Sequence, residues 1–501
     1  MKRYIFLIVA GFTFSAAQSQ SVDDALRYAQ ENINGTARFR AMSGAFGAIG
    51  GDLSALTINP AGSAVFANSQ VGVSLSNYNT KNKSSYFGTQ TSDSNVSFDL
   101  NQAGAVFVLN NPRENTGWKK FALSVNYDNT NNFDNTFYTA GQNTNTSVAN
   151  YFTSYANQLG QSANFYGNAY FDELTLRERQ AYLGYNAYII DPVAGNLNNT
   201  TFVSNVPAGV YAQDNFTETT GYNGKLSINA ASAYNDRLFF GINLNAYFND
   251  YTKSSSFYEE NNNSPIVGRP SVRSITFDNY THTYGNGFSF QLGAIAKITQ
   301  AFRAGLAYES PTWYELNDEV WQIVYSNGIN FNNGTNSAQT DSNVMVLYEP
   351  YNLRTPGKFT GSLGYVFGKI AMISADYSIK DYSNTRFRSN DNYFDPINNT
   401  MSNTLVMAGE LRVGTEIRLK EWSFRGGFRY EESPYKDETT VGDLASFSAG
   451  FGYQFARTRL DFSYTYMQRD TQLGMFSQGL TDPILNKSVN NNLTMSLIFE
   501  L

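Results

Sequence analysis

From Ser69 to its last residue the chain repeats with a period of two, and that period is the tightest limit on what it can become. In the closing segment Leu493, Met495, Leu497, Phe499 and Leu501 alternate with Asn492, Thr494, Ser496, Ile498 and Glu500, so a strand there has one wholly apolar face. Leu460, Phe462, Tyr464 and Tyr466 alternate in the same way with Arg459, Asp461, Ser463 and Thr465. Phe424, Gly426, Phe428 and Tyr430 do so with Arg425, Gly427, Arg429 and Glu431. A strand with lipid on one side and a watery lumen on the other needs aromatics on one face and charges on the other. A soluble sandwich alternates too, so the period alone leaves both open.

The connections separate them. Strands are expected at about 69–78, 101–109, 118–128, 221–233, 238–250, 285–297, 302–313, 355–367, 370–381, 407–419, 422–432, 444–455, 457–469 and 489–501. Odd-numbered connections are long (79–100, 129–220, 382–406) and even-numbered ones short (110–117, 234–237, 420–421). Long loops at one end and tight turns at the other predict an all-β membrane protein, a transmembrane antiparallel β-barrel of about 14 strands. Residues 69–501 would form the barrel, with 129–220 as a large extracellular loop. Phe (38) and Tyr (35) are abundant, and past the N-terminus no apolar run is long enough for a spanning helix. The net charge of -7, with no basic cluster, argues against nucleic acid as a partner.

Lys2-Arg3, the apolar run Tyr4 to Phe14 and the small residues Ser15, Ala16 and Ala17 predict a signal peptide over residues 1–20. The run is shorter than the roughly 20 residues a membrane anchor needs. The chain has no cysteine, so neither a lipid anchor on cysteine nor a disulfide is expected.

Between the leader and the strands, residues 21–68 are of another kind. Val22 to Ile33 reads as a short helix. From Ala37 to Ala67, two small-residue segments, Met42 to Ile49 and Leu53 to Ile58, are separated by Gly50-Gly51 and closed by Asn59-Pro60-Ala61-Gly62. Asp52 suits the N-cap of the second segment, and Asn59 before Pro60 is biased out of the helical region. Two tight helical turns are expected, with so little bulk at Ala41, Gly44, Ala45, Gly47 and Ala48 that they fit inside something narrow. A Gly-rich loop leading into a β domain is the alternative.

Ser43-Gly44-Ala45-Phe46-Gly47-Ala48, Asp52-Leu53-Ser54-Ala55 and Asn59-Pro60-Ala61-Gly62 resemble the N-terminal hatch of the FadL/TodX family of outer-membrane transporters. The resemblance continues in Arg303 to Thr312, Pro356 to Ser383, Arg425 to Tyr430 with Ser433-Pro434-Tyr435, Ser448 to Tyr453, and Leu460-Asp461. Gly50-Gly51 and the terminal Leu501 depart from the family pattern. The resemblance implies a bacterial outer-membrane barrel with a small N-terminal helical hatch in its lumen. It would pass hydrophobic small molecules, long-chain fatty acids or aromatic compounds, by diffusion, with outer-membrane lipid around it and no cofactor. Phe39, Met42, Phe46, Leu53 and Leu56 would line a pocket for the ligand, with Asn59 and Pro60 in the hatch turn. The alternative is a non-transporting barrel of this fold acting with other envelope proteins as partner or shuttle in secretion or assembly.

In the longest connection Tyr151, Phe152, Tyr155 and Leu159 fall at helical spacing, followed by Phe171, Leu174 and Leu176, then Arg177-Glu178-Arg179, Tyr182, Tyr185 and Tyr188. Two short helices above the barrel mouth are expected. Tyr151, Phe152, Tyr155 and Phe171 either pack the loop against itself or offer a greasy surface that captures ligand or another protein. Catalysis is not expected: His282 is the only histidine and no G-x-S-x-G elbow accompanies it. Some FadL relatives are labelled haem receptors, for which His282 alone could be an axial ligand; it reads as a strand or loop residue. Asp128, Asn131 and Asp134, like Asp391, Asn392 and Asp395, lack EF-hand spacing and read as solvated loop, so no metal is expected.

Overall fold

The computed structural model describes residues 20–111, 117–331, 334–341, 345–389 and 392–501; the expected leader, apart from Gln20, and Asp391 lie outside them. The alternating segments form β1 (Gln70–Tyr86), β2 (Thr89–Asn110), β3 (Trp118–Asn132), β4 (Tyr211–Tyr234), β5 (Leu238–Glu260), β6 (Ser271–Lys297) and β7 (Phe302–Glu309). They continue with β8 (Lys358–Phe367), β9 (Ala371–Asp381), β10 (Met407–Leu419), β11 (Trp422–Glu431), β12 (Val441–Phe455), β13 (Thr458–Gly474) and β14 (Pro483–Glu500). Each pairs antiparallel with the next, and β14 pairs back on β1, closing a barrel of 14 strands.

The closing seam shows why the alternation needs a barrel. Val71, Val73 and Leu75 stand opposite Phe499, Leu497 and Met495 on the outer face. On the inner face Ser74 and Ser76 hydrogen-bond Ser496 and Thr494 at 2.6 and 2.7 Å. Outside, the apolar row suits lipid; inside, hydroxyls and charges need polar partners.

Two expectations about the connections are corrected. Residues 79–100 are not a long loop: β1 and β2 run on through them to the two-residue turn Phe87-Gly88. Likewise β3 is continued by Asn135–Asn143 and β4 begins at Tyr211, so the longest connection shrinks to 144–210. Strands extended beyond lipid have no reason to be apolar outside, and the aromatic alternation vanishes there while the pairing persists. β7 departs from the single strand expected at 302–313: it breaks at Ser310-Pro311-Thr312, where proline cannot donate to a ladder, and resumes as Trp313–Ile329, both halves paired with β6.

Inside the barrel lies the N-terminal segment. α1 (Val22–Ala29) starts with a capping box between Ser21 and Asp24 and stops short of the expected Ile33. α2 (Ala37–Ala41) is capped by Thr36. Two 3-10 turns follow, Ser54–Thr57 and Pro60–Val65. Asp52 accepts from the Ser54 N–H at 3.0 Å, and the Asn59 side chain accepts from the Ala61 N–H at 3.1 Å. The 144–210 connection folds into α3 (Ala149–Leu159), α4 (Ala163–Asn168) and α5 (Leu176–Asn186), one helix more than expected. Ser162, whose side chain accepts from the Phe165 N–H, is the N-cap signal of the extra one. Between β9 and β10 lies α6 (Asp395–Thr404), so Asp395 of the second oxygen-rich run starts a helix.

Candidate functional site

The wall meets the luminal segment with bare backbone. A Cβ on Gly293 would lie 2.0 Å from Asn59 Oδ1, one on Gly305 2.3 Å from the Gly47 carbonyl, and one on Gly241 2.4 Å from the Pro60 carbonyl. Across the barrel, a Cβ on Gly414 would lie 2.6 Å from the Met42 carbonyl, and one on Gly427 2.5 Å from its carbonyl carbon. The small residues of the segment and the glycines of the wall therefore make one fit, and Ala41, Ala45 and Ala48 are fully buried in it.

Polar anchors fix its orientation. Asp376 on β9 accepts from the Phe46 and Gly47 N–H groups at 3.1 and 3.0 Å. The Asn59 amide donates to the carbonyls of Gly47 (2.8 Å) and Ala294 (3.1 Å), tying both its own segment and β6. Asn229 on β4 donates to the Pro60 carbonyl at 2.9 Å and accepts from Ser63. Below these, Arg38 reaches Glu416 at 2.7 Å, Arg425 bridges Glu416 and Asp461 at 2.7 Å each, and Arg459 closes on Asp461 at 2.7 Å. Burial alone would depress the Arg38 guanidinium, but Glu416 and Asp52 beside it hold it above its ordinary pKa. Removing one partner of such a network strands a buried charge.

The expected ligand residues do not form one pocket. Phe39, Met42 and Phe46 pack together with Ile49, Ala55, Ile58 and Met372, the Phe39 and Phe46 rings 5.6 Å apart. Leu53 faces another side, against Phe66, Val106, Ala122 and Ile498. Leu56 is buried, and its carbonyl accepts from Asn243 at 2.8 Å. Asn59 and Pro60 clamp the segment to the wall. The apolar side chains are thus used up in packing. Beside them remain cavities of about 60 and 50 Å³, lined largely by polar groups such as Asn34, Arg40, Lys225 and Glu410.

Over the long-loop end the helices form a cap. Tyr151, Phe152 and Phe171 are buried in it and Tyr155 is half-buried. Tyr151 and Phe152 pack on Phe277, with Phe476 stacked beyond. These rings form the core of the cap, whereas Tyr170 is 72% exposed. His282 stands half-buried on β6, its ring nitrogens 3.4 and 3.3 Å from Asp250 and Glu319.

Among the described residues, pairing between β2 and β3 stops partway and leaves a seam in the wall. β2 and β3 are paired from Gln102–Asp128 down to Asn110–Lys120, and above this β2 is paired only with β1. β3 changes register against β4 between Asn129 and Asn131, at the same level. Asp99 bridges the gap, accepting from Asn129 and Asn132. Val96, Phe98 and Leu100 are exposed on its outer side. Directly behind it stands the luminal segment: Asn34 donates to the Asn129 carbonyl and Asn101 to the Gly35 carbonyl, both at 2.7 Å.

Comparison with known proteins places this arrangement. The family model described as an outer membrane protein transport protein (OMPP1/FadL/TodX) matches residues 198–481. The crystal structure of a Pseudomonas aeruginosa FadL homologue superposes with a TM-score of 0.52 at 13% identity, over 94% of this chain and 98% of that one. A TodX monoaromatic hydrocarbon channel carrying the deltaS2 mutation gives 0.50 at 12% identity, over 93% and 99%. The Ralstonia pickettii toluene transporter TbuX gives 0.48 at 14%, over 93% and 99%. At these identities the likeness is one of fold. No curated protein sequence matches the chain.

Proposed function

The chain belongs to the OMPP1/FadL/TodX family of outer-membrane transport proteins, and on that premise we propose that it passes hydrophobic small molecules through the wall at the β2–β3 seam. The long-loop end with its cap would face the cell exterior and the tight turns the periplasm. The observation that carries this reading is the filled lumen. The segment is clamped by backbone contacts and buried ion pairs, Phe39, Met42 and Phe46 pack on one another, and the two cavities beside Asn34 are small and largely polar. At the seam, by contrast, β2 and β3 are unpaired above Gln102–Asp128 and apolar side chains flank the gap. An acyl chain or aromatic hydrocarbon moving sideways there loses no apolar burial, since lipid receives it, at about 0.8 kcal/mol for each methylene kept from water.

Because the chain has no cysteine, the seam can be closed chemically. In the variant Asp99→Cys, Asn129→Cys, bridging with a short bismaleimide should cut uptake of a labelled long-chain fatty acid, or of toluene, several-fold relative to the unbridged variant. Undiminished uptake after complete bridging would sink the seam route. Uptake in neither state, with other envelope proteins co-purifying, would instead favour the role of partner or shuttle in secretion.

A further inference from the structure

Among the described residues, Arg38, Arg40, Arg412, Arg425 and Arg429 are the arginines buried in the lumen, and they are not matched alike. Arg38 and Arg425 share Glu416, Arg429 lies 2.6 Å from both Glu410 and Glu431, and Arg412 stands 3.7 and 3.9 Å from Asp376 and Glu410. Arg40, only 2% exposed, has no ion pair among the described residues. One of its terminal nitrogens donates to Ser76 Oγ at 3.1 Å, its guanidinium lies 5.5 Å from the centre of the Tyr78 ring, and its Nε has no acceptor. A hydroxyl and a ring face do not neutralise a charge taken out of water, and a buried donor without an acceptor is costly.

Arg40 lines the cavity of about 60 Å³ between α2 and the strands on either side of the closing seam. Around it stand Thr80 on β1, Ser446 on β12, Thr465 on β13, and Asn490 and Asn492 on β14. The Thr465 hydroxyl is buried without a partner, and so is the Asn492 side-chain oxygen; turned over, that carboxamide presents its N–H groups to the same space. The other two charged groups of the lining are occupied. Arg429 is held by its two glutamates, and Asp134 accepts from the Gly221 N–H at 3.1 Å and from Asn132 at 3.5 Å. The space holds about four water-sized bodies, too little for an acyl chain.

We propose that this cavity holds a small inorganic anion of chloride's size, bound by the Arg40 guanidinium and the Thr465 hydroxyl. Asp376 on β9 and Glu416 on β10 anchor the luminal segment through carboxylates of the wall, whereas the lining faces of β1, β12, β13 and β14 offer Arg40 neutral groups. The ion supplies the missing charge on that side and completes the clamp. It does so whichever way hydrophobic molecules pass.

The test is diffraction at the bromine absorption edge from crystals of the barrel purified and grown in sodium bromide. An anomalous peak within hydrogen-bond distance of the Arg40 guanidinium is expected, and R40M should lose it. Water alone in the bromide-grown wild type would overturn the proposal, as would a peak that persists in R40M. Melting in solution then separates a built site from a chance occupant. The wild type should melt several degrees higher in chloride or bromide than in gluconate, which is too large for the cavity, at equal ionic strength. R40M should melt at one temperature in all three, and T465V, which keeps the charge, should need about ten-fold more halide than the wild type for the same rise. An equal rise in wild type and R40M would mean an adventitious ion only. Should R40M not fold, T465V carries both readouts, and an unchanged peak with an unchanged halide dependence in it would overturn the assignment.

Discussion

The luminal segment and the cap are both densely packed, yet by opposite means. The segment meets a wall whose inner face is polar, so it is seated by directional contacts: carbonyls against Gly293, Gly305 and Gly414, N–H groups on Asp376, and Arg38 on Glu416. The cap stands over the barrel rim and is held by side-chain bulk, with Phe152, Tyr166, Leu183, Ile189 and Phe277 in one apolar core. Directional contacts between rigid backbones are satisfied in one position only, whereas an apolar core relaxes around a defect. The segment should therefore fail abruptly and the cap by degrees.

The sharpest test of that contrast is Gly293→Val, whose Cβ would fall 2.0 Å from Asn59 Oδ1 and 2.7 Å from Pro60 Cδ. Strand backbone on one side and a proline on the other leave little room to yield. The expected outcome is an unseated segment in a still-closed barrel, read in planar bilayers as large steady conductance where the wild type shows little. Second is Phe152→Ala in the cap, which should cost about 3 to 5 kcal/mol of local stability. Proteolysis within 144–210 should then accelerate with no rise in conductance; new open channels would erase the distinction between the regions. Third, Asp376→Asn weakens the anchor of the Phe46 and Gly47 N–H groups by about 1 to 3 kcal/mol. Brief openings, intermediate between wild type and Gly293→Val, are the expected recording. Smallest is Tyr170→Ser on the outside of the cap, within about 0.5 kcal/mol of wild type by thermal unfolding.

How far each region was legible follows from the same physics. The wall could be read because lipid imposes one rule on every outward residue, visible in Leu493 to Leu501 without knowing any neighbour. Where lipid ends the rule ends. Outward Asn79, Lys81 and Lys83 carry no signal, so by sequence the extension of β1 and β2 reads as a loop. In the cap, helical spacing marked Tyr151, Phe152 and Tyr155, but nothing in it distinguished a capture surface from a core; Phe277 and Phe476, far along the chain, bury two of these rings. In the luminal segment the shortage of bulk from Ala41 to Ala48 was itself the message, and Asn59-Pro60 carried its own turn geometry.

What the sequence could not hold is who meets whom across the lumen. Arg425 lies opposite Glu416 only because of the β10–β11 register, and Arg38 joins them from 378 residues away. Asp376, Glu416 and Asp461 look alike in the chain, as inward charges at every second position. Period two, composition and the small-residue motif determined a membrane barrel with something narrow inside it, because each is a local response to solvent or to space. The clamp, the split of Phe39 and Leu53 into separate clusters, the partly unpaired β2–β3 edge and the unpaired Arg40 were decided by closure of β14 on β1. Closure sets which inner faces oppose one another, and distance across a lumen is no function of distance along the chain.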